Sequence, residues 1–108
     1  MIINVKNGEI DTIVDGSKVV LMEFHGKNCP ECQRMEQVLS DLNNHFLPSN
    51  LIIAKMDVSD KANRQVAIDM GLSSVPHLIL YKNGAVVMNR AGFAQLNDLV
   101  KTINAAYV

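Results

Sequence analysis

Two nearly continuous apolar runs, Val19-Val20-Leu21-Met22-Glu23-Phe24 and Leu51 to Val58, stand out from the polar segments around them. Runs of this kind suit strands buried on both faces, because an edge strand or a half-exposed one would alternate. Ile2 to Val5 predicts a further short strand. The spacing then changes. Gly8 to Asp15 places Ile10, Ile13 and Val14 on one helical face and is ended by Gly16-Ser17. From Pro30 to about Phe46, Met35, Val38, Leu39, Leu42 and Phe46 recur at helical spacing, and Pro48 closes the segment. Lys61 to Met70 predicts a helix capped by Gly71. His77 to Tyr81 and Ala85 to Asn89 predict a hairpin turned by Asn83-Gly84. Gln95 to Ala106 predicts a last helix with Leu96, Leu99, Val100 and Ile103 facing inward. This alternation implies an α/β fold with helices on both faces of one sheet, its early part parallel and its closing hairpin antiparallel.

Composition narrows the function classes. At 108 residues the chain reads as one domain over residues 1–108, long enough to bury a core without disulfide or metal staples. Its formal net charge is -1, with acids and bases dispersed, which leaves no electrostatic footprint for nucleic acid or an anionic membrane. A protein or small-thiol partner is expected instead, with the chain acting as a monomer. The start, Met1-Ile2-Ile3-Asn4-Val5-Lys6, lacks a basic segment followed by a long apolar stretch, and no later run approaches bilayer-spanning length. The expected location is a reducing cytoplasm, where a Cys-x-x-Cys pair serves catalysis or metal binding more often than structure.

The two cysteines carry the chemistry. Cys29 and Cys32 lie in Asn28-Cys29-Pro30-Glu31-Cys32, directly after the first buried run and directly before a helical pattern. A thiol at that junction faces the unpaired N–H groups and positive dipole end of the helix, which favour thiolate, and a second thiol one turn on can close a small disulfide ring. Cys29, at the N-cap, is the expected attacking thiol, and Cys32, one turn inside, the expected resolving thiol. Pro30 suits the first helical position and Glu31 the first turn. The Glu31 carboxylate also disfavours a Cys29 thiolate by about 0.5–1 kcal/mol when partly solvent-screened. That moves the couple toward the reducing end, since about 1.4 kcal/mol is worth 30 mV. Glu23 interrupts an apolar strand, where an ionised carboxylate is costly unless a cation pairs with it.

These features together resemble the thioredoxin family over almost the whole chain: the strand with its acid Glu23, the Cys29-x-x-Cys32 helix start, Ala54-Lys55-Met56-Asp57, Ser74-Val75-Pro76, Tyr81-Lys82-Asn83-Gly84 and Gly92. The resemblance implies a thioredoxin fold, a central mixed sheet flanked by helices, with dithiol-disulfide exchange as the activity. It implies that Glu23 stands where a carboxylate assists proton transfer at the resolving thiol, with Lys55 as the lysine near it. Pro76 matches the family's cis-proline, which leaves the backbone of Val75 free to pair with an extended substrate segment. Asn28, Pro30, Glu31, Val75, Pro76 and Gly92 are thereby the expected substrate-binding positions, with Gly26 framing the same patch. No metal or cofactor is implied, because the Cys29–Cys32 disulfide is itself the redox group.

The chain also departs from the common Trp-Cys-Gly-Pro-Cys site. Asn28 stands for the tryptophan, Pro30 for the glycine and Glu31 for the proline, and His25 occupies the place of another family tryptophan. His25 reads as a polar loop residue or as a cation tuning Cys29 below neutral pH. His77, next to Pro76, is a second histidine expected near the cysteines. The leading expectation is a reductant of protein disulfides recycled by a separate reductase like that of thioredoxin. Two alternatives stay open: a glutathione-linked, glutaredoxin- or isomerase-like exchanger, and a non-catalytic binding module whose cysteine pair ligates metal together with a partner.

Overall fold

A computed structural model describes residues 1–16 and 18–107. Five strands, β1 (Ile2–Asn4), β2 (Val19–His25), β3 (Leu51–Asp57), β4 (His77–Lys82) and β5 (Ala85–Ala91), form one sheet in the order β1-β3-β2-β4-β5. β1 and β2 both run parallel to β3, whereas β4 is antiparallel to β2 and β5. The two apolar runs thus occupy the centre, and every residue of β2 from Val19 to Phe24 is buried. The β4–β5 hairpin turns at Asn83 and Gly84, both with positive φ, the conformation for which Asn-Gly is suited.

Four helices cover the sheet: α1 (Ile10–Val14), α2 (Pro30–His45), α3 (Arg64–Asp69) and α4 (Leu96–Ala106). Because side chains alternate across a strand, β2 feeds two cores. Val19 and Leu21 pack with Met35, Leu39 and Leu42 of α2 and with Leu99 and Ile103 of α4. Val20, Met22 and Phe24 point the other way, toward Val14 of α1 and, at the edge, Val66 after the start of α3. Cys32, Met35, Leu39 and Leu42, spaced three and four apart, are the buried stripe of α2, so the cysteine opens the face that lies on the sheet.

Most expected boundaries hold within a residue or two. The helix expected over Lys61 to Met70 is instead a 3₁₀ turn, Lys61–Asn63, followed by the short α3. Asn63 is the cause: its buried side chain donates to the Asp57 carbonyl (2.9 Å) and accepts from the Asn7 N–H (2.8 Å), contacts that compete with a regular helix start. The expected helix stop at Gly16-Ser17 is described only at Gly16, whose φ is +111°, because Ser17 lies outside the described residues.

Candidate active site

β2 delivers the chain to a tight turn whose last residues set up the cysteines. Asn28 has φ +54°, a left-handed conformation that Asn tolerates better than most side chains. Cys29 then returns to extended backbone and caps α2, with its Sγ accepting the Cys32 N–H at 3.1 Å. Pro30 takes the first helical position, where its missing N–H costs nothing, and Glu31 sits in the first turn. Cys29 and Cys32 are joined in a disulfide with Cα atoms 5.2 Å apart. Cys29 is half-buried and Cys32 buried, while Asn28, Pro30 and Glu31 are exposed around them.

A second loop closes against this one. The Val75–Pro76 peptide bond is cis, and the Val75 carbonyl oxygen lies 3.7 Å from Cys29 Sγ. The disulfide sulfur carries no proton, so this is a contact that only a reduced Cys29 can turn into a hydrogen bond. A Cβ on Gly26 would meet the Val75 side chain at 3.5 Å, so Gly26 lies against the same loop. Gly92 donates its N–H to the Pro76 carbonyl (2.8 Å) with φ +89°. Nothing lies within 4 Å of where a Gly92 Cβ would be, so its φ and not crowding demands glycine in the free protein. Gly92→Ala is therefore expected to destabilise by about 1–2 kcal/mol through backbone strain alone, measurable by urea denaturation. Beside Gly92, the Arg34 guanidinium of α2 lies over the Phe93 ring, 4.3 Å from its centroid.

On the face of β2 that α2 covers lies a charged cluster. Glu23 is fully buried, and its Oε1 pairs with His25 Nδ1 at 2.9 Å. That hydrogen bond holds the His25 imidazole above the usual histidine range, against the opposing effect of burial. Lys55 is the register partner of Glu23 on β3, as the expected pairing requires, yet its ammonium donates to Glu36 of α2. The cation expected beside Glu23 is thus His25 and not Lys55. The reason is reach: a long flexible lysine at the rim of the cluster extends to a half-exposed carboxylate, while the two-residue spacing of Glu23 and His25 in one strand puts both side chains on the same face.

His77 corrects another expectation. It neighbours Phe24 across β2 and β4 and shares the face of Ile79 and Tyr81, opposite the cysteines, where Nε2 pairs with Asn89. An open cavity of about 360 Å³ lined by Asn7, Asp11, Val66, Met70 and Tyr81 also lies on that far face. Among the described residues no group of three or more His, Cys, Asp or Glu is placed to hold a metal ion.

A disulfide that begins a helix against a cis-proline loop in a mixed five-stranded sheet is the arrangement the sequence resemblance implies, and the family model for thioredoxin matches residues 1–105. The chain belongs to the thioredoxin family. It is 29% identical over 104 residues to thioredoxin of Haemophilus influenzae, covering 95% of this chain and 94% of that protein. Identity is 30% over 92 residues with thioredoxin of Chlorobaculum thiosulfatiphilum, covering 85% and 82%. The crystal structure of thioredoxin f from spinach chloroplast is similar with a TM-score of 0.86 at 25% identity, covering 99% of this chain and 94% of that one. As a thioredoxin-family member with its cysteine pair at disulfide distance, the protein is a thiol-disulfide oxidoreductase, a disulfide reductase by family. Within that family site, sequence reasoning missed the Glu23–His25 pair because the predicted strand ended at Phe24; the strand runs one residue further, to His25, and its alternation then puts both side chains on one face.

Proposed function

We propose that the chain reduces protein disulfides in the cytoplasm, as a monomer, and is returned to its dithiol form by a separate reductase. The observation that carries this reading is the capped Cys29: a half-buried sulfur that already accepts a backbone N–H at the start of a sixteen-residue helix, beside the half-buried Val75. Cys29 thiolate attacks a substrate disulfide, one substrate sulfur leaving with the electron pair, and Cys32 displaces the other to close the Cys29–Cys32 bond. Glu23 accepts the Cys32 proton in that second step and returns it when the disulfide is reopened. The substrate segment lies extended against Val75, Pro76 and Gly92, with Asn28, Pro30 and Glu31 at its rim. Lys55, tied to Glu36, acts at one remove by placing positive charge beside the Glu23 cluster.

The reduction midpoint tests the direction of flow. Equilibration in graded thiol buffers, alkylation and mass spectrometry should place it below about −240 mV, as for a thioredoxin-type reductant. A midpoint near −200 mV or above would instead assign a glutathione-linked or isomerase-like role.

A further inference from the structure

Glu23 and Asn63 are the buried polar side chains among the described residues, and they differ in one respect. Asn63 uses both ends of its amide, on Asn7 and Asp57. Glu23 uses only Oε1, on His25, and its Oε2 is sealed from solvent without a hydrogen-bond partner. The orphaned oxygen belongs to a side chain on the α2 face of β2, the same face onto which Cys32 opens the buried stripe of that helix. A sealed carboxylate cannot exchange a proton with water by itself. Its one partner can, because the His25 side chain is 22% exposed.

We propose that His25 is the positioning residue of this proton transfer: it keeps Glu23 aimed through the Nδ1–Oε1 bond and refills the pair with a proton from solvent, so that Glu23 can protonate Cys32 as the disulfide opens. The proposal rests on the reading of Glu23 as the proton partner of Cys32. When a donor thiolate attacks, a new S–S bond forms to Cys29 Sγ and the Cys29–Cys32 bond breaks, its electron pair passing to Cys32 Sγ. The Glu23 Oε2 proton goes to that sulfur, leaving a carboxylate held by the His25 Nδ1–H, and His25 Nε2 takes one proton from water. The disulfide is reduced, the donor thiol is oxidised, and closing the disulfide runs the proton steps in reverse. Below the His25 midpoint the pair is therefore neutral before and after the step, which avoids a lasting uncompensated charge in a buried site.

Other charges face the imidazole. From β3, Lys55 disfavours its protonation and Asp57 favours it, Lys55 being drawn toward Glu36 of α2 and the Asp57 carboxyl lying below its ordinary range through its bonds from Ser59. Lys27 lies on the loop beyond His25, close enough to act on Asp57. The strongest influence is the Glu23 hydrogen bond, which raises the His25 midpoint. The sign follows: the shared proton is present below that raised midpoint and is lost as pH rises through it.

The experiment is reduction of the oxidised protein by a small dithiol, with the rate expressed per thiolate, across about pH 5 to 9. In the unaltered chain the rate should step down with rising pH at the His25 midpoint read by NMR of its imidazole; a step elsewhere, or none, overturns the proposal without any variant. His25→Gln keeps an amide near Glu23 but carries no titratable proton, and should lose the step and slow the low-pH rate about ten- to a hundredfold. Native rate and profile in His25→Gln, with Glu23→Gln slow, would overturn the role of His25 and leave Glu23 in place. Native behaviour of Glu23→Gln would overturn the Glu23 reading and this proposal with it.

Discussion

Cys32→Ser is expected to turn the protein from a catalyst into a trap. Cys29, at the mouth of the site, retains its attack on a substrate disulfide, but the serine hydroxyl one turn inside α2 cannot displace the resulting mixed disulfide. Mass spectrometry of the purified variant should show the chain plus one substrate moiety, released by excess small dithiol. Cys29→Ser should form no adduct, and its turnover of a protein disulfide should fall by at least about a thousandfold, as when a nucleophile is removed from a site that works as a unit. The asymmetry follows from burial: Cys32 is 5% exposed, so a bulky substrate sulfur reaches Cys29 and not Cys32. An adduct on Cys29→Ser and none on Cys32→Ser would reverse the assigned order of attack. Serine is close to isosteric with cysteine, so the comparison leaves the packing of α2 on the sheet largely intact.

The largest expected loss of stability comes from Phe24→Ala. Phe24 is fully buried on β2, between Met56 of β3 and His77 of β4, in the core on the side of α1 and α3. Deleting the ring removes its transfer free energy and leaves a cavity that strands paired on both sides can barely collapse, a cost of about 3–5 kcal/mol. Domains of this kind have about 5–15 kcal/mol in total. The urea midpoint should therefore fall by more than about 1 M. Val86→Ala on the outer strand β5, where the side chain is 54% exposed, is the matched control and should stay within about 0.5 kcal/mol. Similar losses for the two would contradict the placement of β2 at the centre and β5 at the edge. Phe24 directly precedes His25 and neighbours Glu23, so residual exchange activity in the folded fraction also reports whether the pair keeps its geometry.

Local pattern carried much of this molecule. The continuous apolar runs identified β2 and β3 as central, because only a strand covered on both faces has no polar alternation. Asn83-Gly84 announced its hairpin, since both residues accept the positive φ that a tight turn demands. The helix after Cys29 was legible from Pro30 and the recurrence of Met35, Leu39 and Leu42, and with it the capped cysteine. The broken start of α3 was not legible, because the side chain that interrupts it, Asn63, answers to Asp57 and Asn7 on other parts of the chain.

The sequence by itself determined the period of each element, the turn chemistry and the dithiol at a helix start, since each depends on residues within a few positions of one another. Only the tertiary structure decided that Lys55 serves Glu36, that His77 lies across the sheet from the cysteines, and that the Val75 carbonyl meets Cys29. Those outcomes depend on register between strands and on which face of the sheet a helix covers. They are set by packing among segments distant along the chain, where local periodicity carries no information.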